Sequence, residues 1–519
     1  MKKIFIIFSL VISMQGFAKV IQVPQQYTTI QAALNAGTVG DTVLVDAGTY
    51  FENIVWPQTN NLHLLSKNLK TAATVIDGKR AGRVFDIEWN GNTAFAAEIN
   101  GFTVQNGFID VPAHKGGRGA GIYAFRAAVQ VKNCALVKNL ITSSAEIQNN
   151  GGGAAIYIIS SPAALTNIID HCLIAGNVLR DVTTGEGAAI GVESCNAIIG
   201  NTTITNNKFT VSEVAVGTVY AYSASLKLDA VKIENNTINT TEQILYGAAS
   251  IKGGAVYAYL TKLQMTNCLV DENILTPFST NEALLGNAVY FYGQAKDFKI
   301  FSSTLANNKR TDGAPVLGTG IYFSSLPGIA PNVYNSILWN PDNGAEIYNQ
   351  TKLTQVAYSD IRGGYNGTAV LNSDPKFVSN RDYHLQDSSP CINSGNTALA
   401  PSVDLDGNTR PQGPAADLGC YESSAVLGVS LADAAVIQNI HATNLYPNPT
   451  NGSFTLAVTD NWLNASIKVH DASGKILFAD KIMNHTTNFN FSKWAAGLYL
   501  IELANSAHQI KKLELVIQK

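Results

Sequence analysis

Between Gly116 and Asn340 the apolar and polar positions alternate inside a strand-turn-strand unit that recurs seven times. Its first half reads GAGIYAF, GAAIYII, GAAIGVE, GTVYAYS, GAVYAYL, NAVYFYG and GTGIYFS. This makes Tyr123, Tyr157, Gly191, Tyr220, Tyr257, Tyr290 and Tyr322 equivalent. The second half ends in an Asn five residues after a small or short side chain, as from Cys134 to Asn139, Cys172 to Asn177, Thr202 to Asn207 and Cys268 to Asn273. The series continues through Asn236, Asn308 and Asn340. Tyr to Asn within a unit is 16 to 20 residues, whereas Asn to the next Tyr varies from 13 to 21. A fixed part plus a variable loop, repeating about every 33 residues, is the signature of a solenoid that tolerates loops at one corner.

Period-two alternation assigns the faces. Ile122, Ile156, Ile190, Val219, Val256, Val289 and Ile321 form one inward column. Ala124, Ile158, Val192, Ala221, Ala258, Phe291 and Phe323 form a second; Leu136, Ile174, Ile204, Ile233, Val270, Leu305 and Ile337 form a third. The Asn column is expected to make a ladder of amides, each bonding the rungs above and below. Cys134, Cys172 and Cys268 share an inward column as small apolar fillers, and Cys195 is expected to be buried elsewhere. His171 aligns with Asn133 and Asn267 and reads as a turn residue. Glu234, Asp271 and Glu272 lie on neighbouring units as an acidic strip, diluted by Lys132, Lys138 and Lys232.

The segments around the repeat differ from it. The first residues carry Lys2 and Lys3, then the apolar run IFIIFSLVIS and Gly16-Phe17-Ala18. That run is too short to span a bilayer, so residues 1–18 read as a signal peptide cut after Ala18. No Cys follows the run to accept a lipid, and no later stretch is long enough for a membrane helix. The next residues predict a strand at Val20 to Val23. A short helix follows, capped near Thr28-Thr29, with Ile30, Ala33 and Leu34 on one face to close the open end of the coil. This start, with TVIDGKRAGRVFDI (Thr74 to Ile87) and INGFTVQNG (Ile99 to Gly107), resembles right-handed parallel β-helix proteins of the pectin-lyase-like superfamily. The expected fold is therefore all-β, a right-handed parallel β-helix over residues 19–372.

Residues 373–422 contain DPKFVSNRDYHLQDSSPCINSGN and DLDGNTRPQGPAADLGCYE. They resemble the choice-of-anchor Q domain that ends many secreted β-helices, and are read as a cap on the far end. Residues 423–443 lose the pattern, as a linker does. Residues 444–519 show six or seven short strands between Asn, Gly and Asp turns, which predicts a small β-sandwich. Tyr446-Pro447-Asn448-Pro449, Gly452, Asp471 with Gly474-Lys475, Gly497-Leu498-Tyr499 and the Lys511-Lys512 tail resemble the C-terminal sorting domain of type IX secretion substrates. That resemblance implies the type IX machinery as partner. The expected location is secreted, or on the outer-membrane exterior of a Gram-negative bacterium.

Composition narrows the chemistry. Only 14% of residues are charged and Gly numbers 43, which suits strands and tight turns. A net charge of −3 without a basic run argues against nucleic acid. The superfamily resemblance brings in polysaccharide hydrolases and lyases. Related hydrolases supply opposed carboxylates from Asp-Asp and Gly-His-Gly, and neither occurs here. A lyase needs a cation to neutralise a uronate carboxylate, and a base beside it. The best cationic cluster is FIDVPAHKGGRGAG, with Asp110, His114, Lys115 and Arg118, and Arg126 on the next strand, which reads equally as a solvated loop. Asp404-x-Asp406-Gly407-Asn408 has the oxygen spacing of a short calcium loop or of an Asx-turn; no other cofactor is indicated. Cys391 and Cys420 flank the cap as a candidate disulfide, with independent burial as the alternative. The outward stripe carries most functional content: Tyr123, Tyr157, Tyr220, Tyr222, Tyr257, Tyr259, Tyr290, Tyr292 and Tyr322. Aromatic faces with polar tips can pack on sugar rings, or stack on each other as a stabilising ladder. The leading expectation is a non-catalytic protein binding a polysaccharide or surface glycan, with a uronate-directed polysaccharide lyase as the alternative.

Overall fold

The computed structural model describes residues 18–69, 73–111, 117–144, 150–242, 251–282, 284–294, 297–326, 332–349, 355–424, 444–458, 462–471, 473–505 and 510–518. The signal peptide and most of the linker lie outside these residues. The chain divides into two compact units, Met1–Leu427 and Gly428–Lys519.

The first unit is the expected right-handed parallel β-helix. One rung shows the design. Ile122–Phe125 runs in a ten-stranded tyrosine sheet, then Ala128–Lys132 and Ala135–Val137 run in a 23-stranded broad sheet. Leu140–Thr142 and Asn150–Gly152 then join a ten-stranded loop sheet before the chain returns. Register holds like over like: Ile122 pairs Ile156, Ile156 pairs Ile190, and Ile190 pairs Val219. The first two predicted inward columns are buried throughout. Each such Ile or Val contributes about 1.5–3 kcal/mol by leaving water.

The third column holds except at its end. Leu305 pairs Leu338, so Leu338 faces the core and Ile337 faces outward. The physical cause is a turn one residue shorter: Ser303 to Asn308 spans five positions but Ser336 to Asn340 spans four. His171 is a turn residue, with φ of 51° beside Asn133 at 49° and Asn267 at 52°. Cys134, Cys172, Cys195 and Cys268 are buried, free thiols.

The Asn ladder runs inside the coil rather than along its rim. Asn139, Asn177, Asn207, Asn236, Asn273, Asn308 and Asn340 all have 0% exposure. The Asn207 amide donates to Ile174 O at 2.9 Å and to Asn236 Oδ1 at 3.0 Å, and Asn236 Oδ1 also accepts the Asn207 backbone N–H at 3.0 Å. Gly107 N–H donates into the first amide, and the buried Glu346 carboxylate accepts from Asn340 at the last. This polar wall separates the main core from a second one, built around Leu179, Phe209, Ile238 and Leu275. The described parts of the variable stretches form the loop sheet and enclose that second core.

The N-terminal helix is Ile30–Asn35, capped by Thr29 Oγ1 accepting Ala32 N–H at 3.2 Å, with Ile30, Ala33 and Leu34 buried. At the other end, Tyr365 and Val370 pack on the main core. The segment read as an end cap instead lies along a flank. Tyr383, Cys420 and Tyr421 pack on outward Leu269 and Ala306, while Leu385, Cys391, Ile392 and Leu418 surround Ile337. Ile337, in register with outward Thr304 and Leu269, supplies part of this docking surface. Cys391 and Cys420 are free, not a disulfide. They belong to separate clusters, the Cys391 thiol bonding Asp360 Oδ2 at 3.2 Å and Cys420 N–H bonding Thr304 Oγ1 at 3.1 Å.

The second unit has seven antiparallel strands in a three-stranded and a four-stranded sheet. They share a core of Phe454, Leu456, Ile467, Val469, Ile501 and Leu503.

Candidate functional site

The tyrosine stripe lies where the loop sheet turns into the tyrosine sheet. The corner is made by Gly119, Gly153, Gly187, Gly217, Gly253, Gly286 and Gly318, all with positive φ. A Cβ on Gly253 would lie 2.9 Å from the Tyr290 Cβ of the next rung, so only glycine permits this approach. One side of the corner is the register-matched column Arg118, Gly152, Glu186, Val216, Lys252, Leu285 and Leu317. On the other side Glu193, Tyr222, Tyr259, Tyr292 and Ser324 are equivalent.

The stripe is two stacked ladders. Tyr220, Tyr257, Tyr290, Tyr322 and Tyr348 stack with centroids 5.7, 5.0, 5.3 and 5.2 Å apart. Tyr222, Tyr259 and Tyr292 stack at 5.6 and 4.6 Å. Stacking covers the ring faces, so the inner ladder is largely buried: Tyr220, Tyr290 and Tyr322 are at most 8% exposed. Burial, then neighbouring phenols, raises the Tyr290 hydroxyl to about 12. Of the nine predicted tyrosines, only Tyr222 is exposed, at 37%. It ends the outer ladder, because its neighbour on the preceding rung is Glu193 rather than an aromatic.

The interruption at Gly191 is filled from the rung before. Tyr157 is fully buried, and a Cβ on Gly191 would sit 2.2 Å from its ring. The Tyr157 hydroxyl donates to Glu193 Oε2 at 2.7 Å, with Glu186 Oε2 3.4 Å away. Arg118 lies over the Tyr157 ring at 4.7 Å and bonds Glu186 at 2.6 Å, with Glu193 at 3.8 Å. Burial, then Glu186, raises the Tyr157 pKa far above a phenol's usual value. Arg83 lies over Tyr123 in the same manner at 4.4 Å. The structure thus brings Arg118, Tyr157, Glu186, Glu193 and Tyr222 together. Of the cationic loop, His114 and Lys115 lie outside the described residues, and Arg118 is already engaged by carboxylates.

Sequence reasoning missed Glu186, Glu193, Lys252 and Tyr348. Glu193 was legible in GAAIGVE, at the outward position occupied by Tyr222 and Tyr259 in later units. Glu186 and Lys252 sit in the variable stretches, where no repeat aligns them. Lys252 is half-buried and burial lowers its pKa.

Elsewhere, the Asp404 loop is a closed Asx-turn rather than an open ring of oxygen ligands. Asp404 Oδ1 accepts N–H groups of Asp406 at 3.0 Å and Asn408 at 2.7 Å, and Oδ2 accepts from Glu422 N–H at 2.9 Å. Asp406 bonds His384 at 2.8 Å. The acidic strip does assemble: Glu234 pairs Asp271 in register, and Asp271 is 4% exposed beneath the flank segment. Burial, then Glu234 and Glu272, pushes Asp271 up to about 8.

Residues 444–518 match the family model described as the secretion system C-terminal sorting domain. The chain is exported by type IX secretion through that domain. No curated protein matches the chain. Among solved structures, pectate lyase Pel9A matches with a TM-score of 0.45 and 12% identity, over 78% of this chain and 97% of that one. Pectin methylesterase PemA from Erwinia chrysanthemi matches with a TM-score of 0.27 and 14% identity, over 57% of this chain and 93% of that one. No described helix is long and apolar enough to cross a membrane.

Proposed function

We propose that this chain is a glycan-binding β-helix protein, held on or released from the outer-membrane exterior, that binds sugar at the tyrosine corner. The observation that carries the reading is Tyr222, an exposed aromatic terminating a stacked ladder beside Glu193. The ring face toward Glu193 is the one that no tyrosine covers, and a sugar ring packs on such a face. Glu193 and Glu186 beside it accept hydroxyl hydrogen bonds, while Arg118 and Tyr157 hold both carboxylates in place. The other predicted tyrosines support this platform by stacking behind it. A glycan array with the full chain tests the reading. Binding lost in both Tyr222→Ala and Glu193→Gln, with each variant still folding cooperatively at the assay temperature, supports it; binding that survives both overturns it.

One observation favours the lyase alternative. Lys252 lies on the corner wall with its pKa lowered by burial, a state suited to a base. Absorbance of an unsaturated product from alginate or polygalacturonate, lost in Lys252→Met, is the result that would replace binding by β-elimination.

A further inference from the structure

The outward face of the broad sheet holds a separate cleft of about 450 Å³. Lys227, Gln264 and Lys299 form one outward column on three successive rungs, and Lys262 stands beside Ser225 in the next column. Lys227 is paired with Asp229 at 2.7 Å. Neither Lys262 nor Lys299 forms an ion pair with a described residue, although Asp297 also lines the cleft. Ammonium groups on adjacent rungs, about 5–10 Å apart, repel one another until an anion joins them. The lining contains no arginine, so no planar fork is present to hold an anion through two parallel bonds. Lysines act as point charges that converge from several directions, which suits a tetrahedral oxyanion.

The cleft is also bounded. Ile198, which is 37% exposed, also lines a second cavity of about 530 Å³ whose lining includes Asp170, Asp229, Asp404 and Asp406. A continuous polyanion following the flank would therefore pass from lysines to a lining that carries aspartates and no Lys or Arg. We propose that this cleft binds one tetrahedral oxyanion ester, a sulfate or phosphate carried on a sugar, with Lys262 and Lys299 as its principal partners. The site lies on a different sheet from the tyrosine corner and does not rest on binding there.

Titration of the full chain with a sulfated dextran oligosaccharide, a phosphorylated one, polygalacturonate and unmodified dextran tests this. Sulfated or phosphorylated dextran is expected to bind, the tighter of the two naming the ester, and unmodified dextran to bind at least tenfold more weakly. The double variant Lys262→Ser, Lys299→Ser should lose about tenfold or more in affinity, as expected for two charge-assisted contacts. Lys208→Ser with Lys309→Ser, an equal loss of charge at exposed positions elsewhere, should leave affinity unchanged. Equal losses in the two double variants would overturn the proposal in favour of diffuse attraction. Polygalacturonate binding as tightly as the esters would overturn the tetrahedral assignment, and no binding of either ester would overturn the site. Loss of neutral-glycan binding at Tyr222 moves none of these readings.

Discussion

Gly191 is glycine because of one ring, not because of its backbone. Its φ is not positive, but the Tyr157 ring occupies the space a Cβ would need. Gly191→Ala should therefore displace Tyr157 from Glu193 and lower stability by about 1–3 kcal/mol, read by chemical denaturation. Asn236 shows the opposite dependence, on hydrogen bonds rather than space. Replacing it by Leu strands Ile204 O and the Asn207 donors inside the coil. Each buried unpaired group costs about 1–3 kcal/mol, so Asn236→Leu is expected to cost at least about 3 kcal/mol. Asp271 adds a pH signature. Its folded pKa of about 8 lies above the ordinary 3.8, so the folded chain holds the proton more tightly. Stability from this site is full below about pH 4 and is lost as pH rises to about 8. Asp271→Asn should leave acid stability little changed and raise the urea midpoint above that of the unsubstituted chain at pH 9. A midpoint no higher than that of the unsubstituted chain at pH 9 would show the carboxyl is not held protonated.

At the scale of elements, a stacked ladder distributes its energy unevenly. Tyr257 stacks on Tyr220 and Tyr290 and meets Tyr259 within its own strand. Tyr222 stacks along its ladder only on Tyr259, and meets Tyr220 within its own strand. At about 0.5–1.5 kcal/mol per aromatic pair beyond burial, Tyr257→Ala, which loses three pairs and a more buried ring, should cost several kcal/mol, and Tyr222→Ala, which loses two pairs from an exposed ring, should cost less. Thermal unfolding of the two variants measures the difference. The consequence for function is direct: alanine at Tyr257 reports folding, and only the ladder end isolates binding.

For the whole molecule, the segment 373–422 acts as a clasp on the last rungs rather than a lid on the coil. Asn335 donates to Asn396 O at 2.9 Å and accepts its N–H at 2.8 Å, and Arg410 and Glu422 form a fully buried pair at 3.3 Å. Truncation after residue 372 should expose Leu269, Ala306 and Ile337, lowering the unfolding midpoint and promoting aggregation. Truncation after residue 427 should leave the midpoint of the first unit unchanged, because that unit keeps its own cores. Comparing the two truncations by calorimetry separates these outcomes.

The amino-acid sequence by itself determined the rungs, because a repeated alternation in register admits one way of stacking like on like. The inward columns and the Asn ladder were legible for that reason, as was the stripe's membership apart from Tyr348; the capping helix was legible from its Thr cap and apolar face, and the sorting domain from its motifs. It left the stripe's meaning open, since outward alternation is the same for an exposed ring and for one covered by its neighbours. Only the tertiary structure decided that most of those faces are consumed by stacking at about 5 Å, leaving Tyr222 exposed. It also decided that Arg118 serves two glutamates, that the described parts of the variable stretches enclose a second core, and that Cys391 and Cys420 remain apart. Each of these depends on contacts between segments far apart in the chain. No period in the chain encodes such contacts.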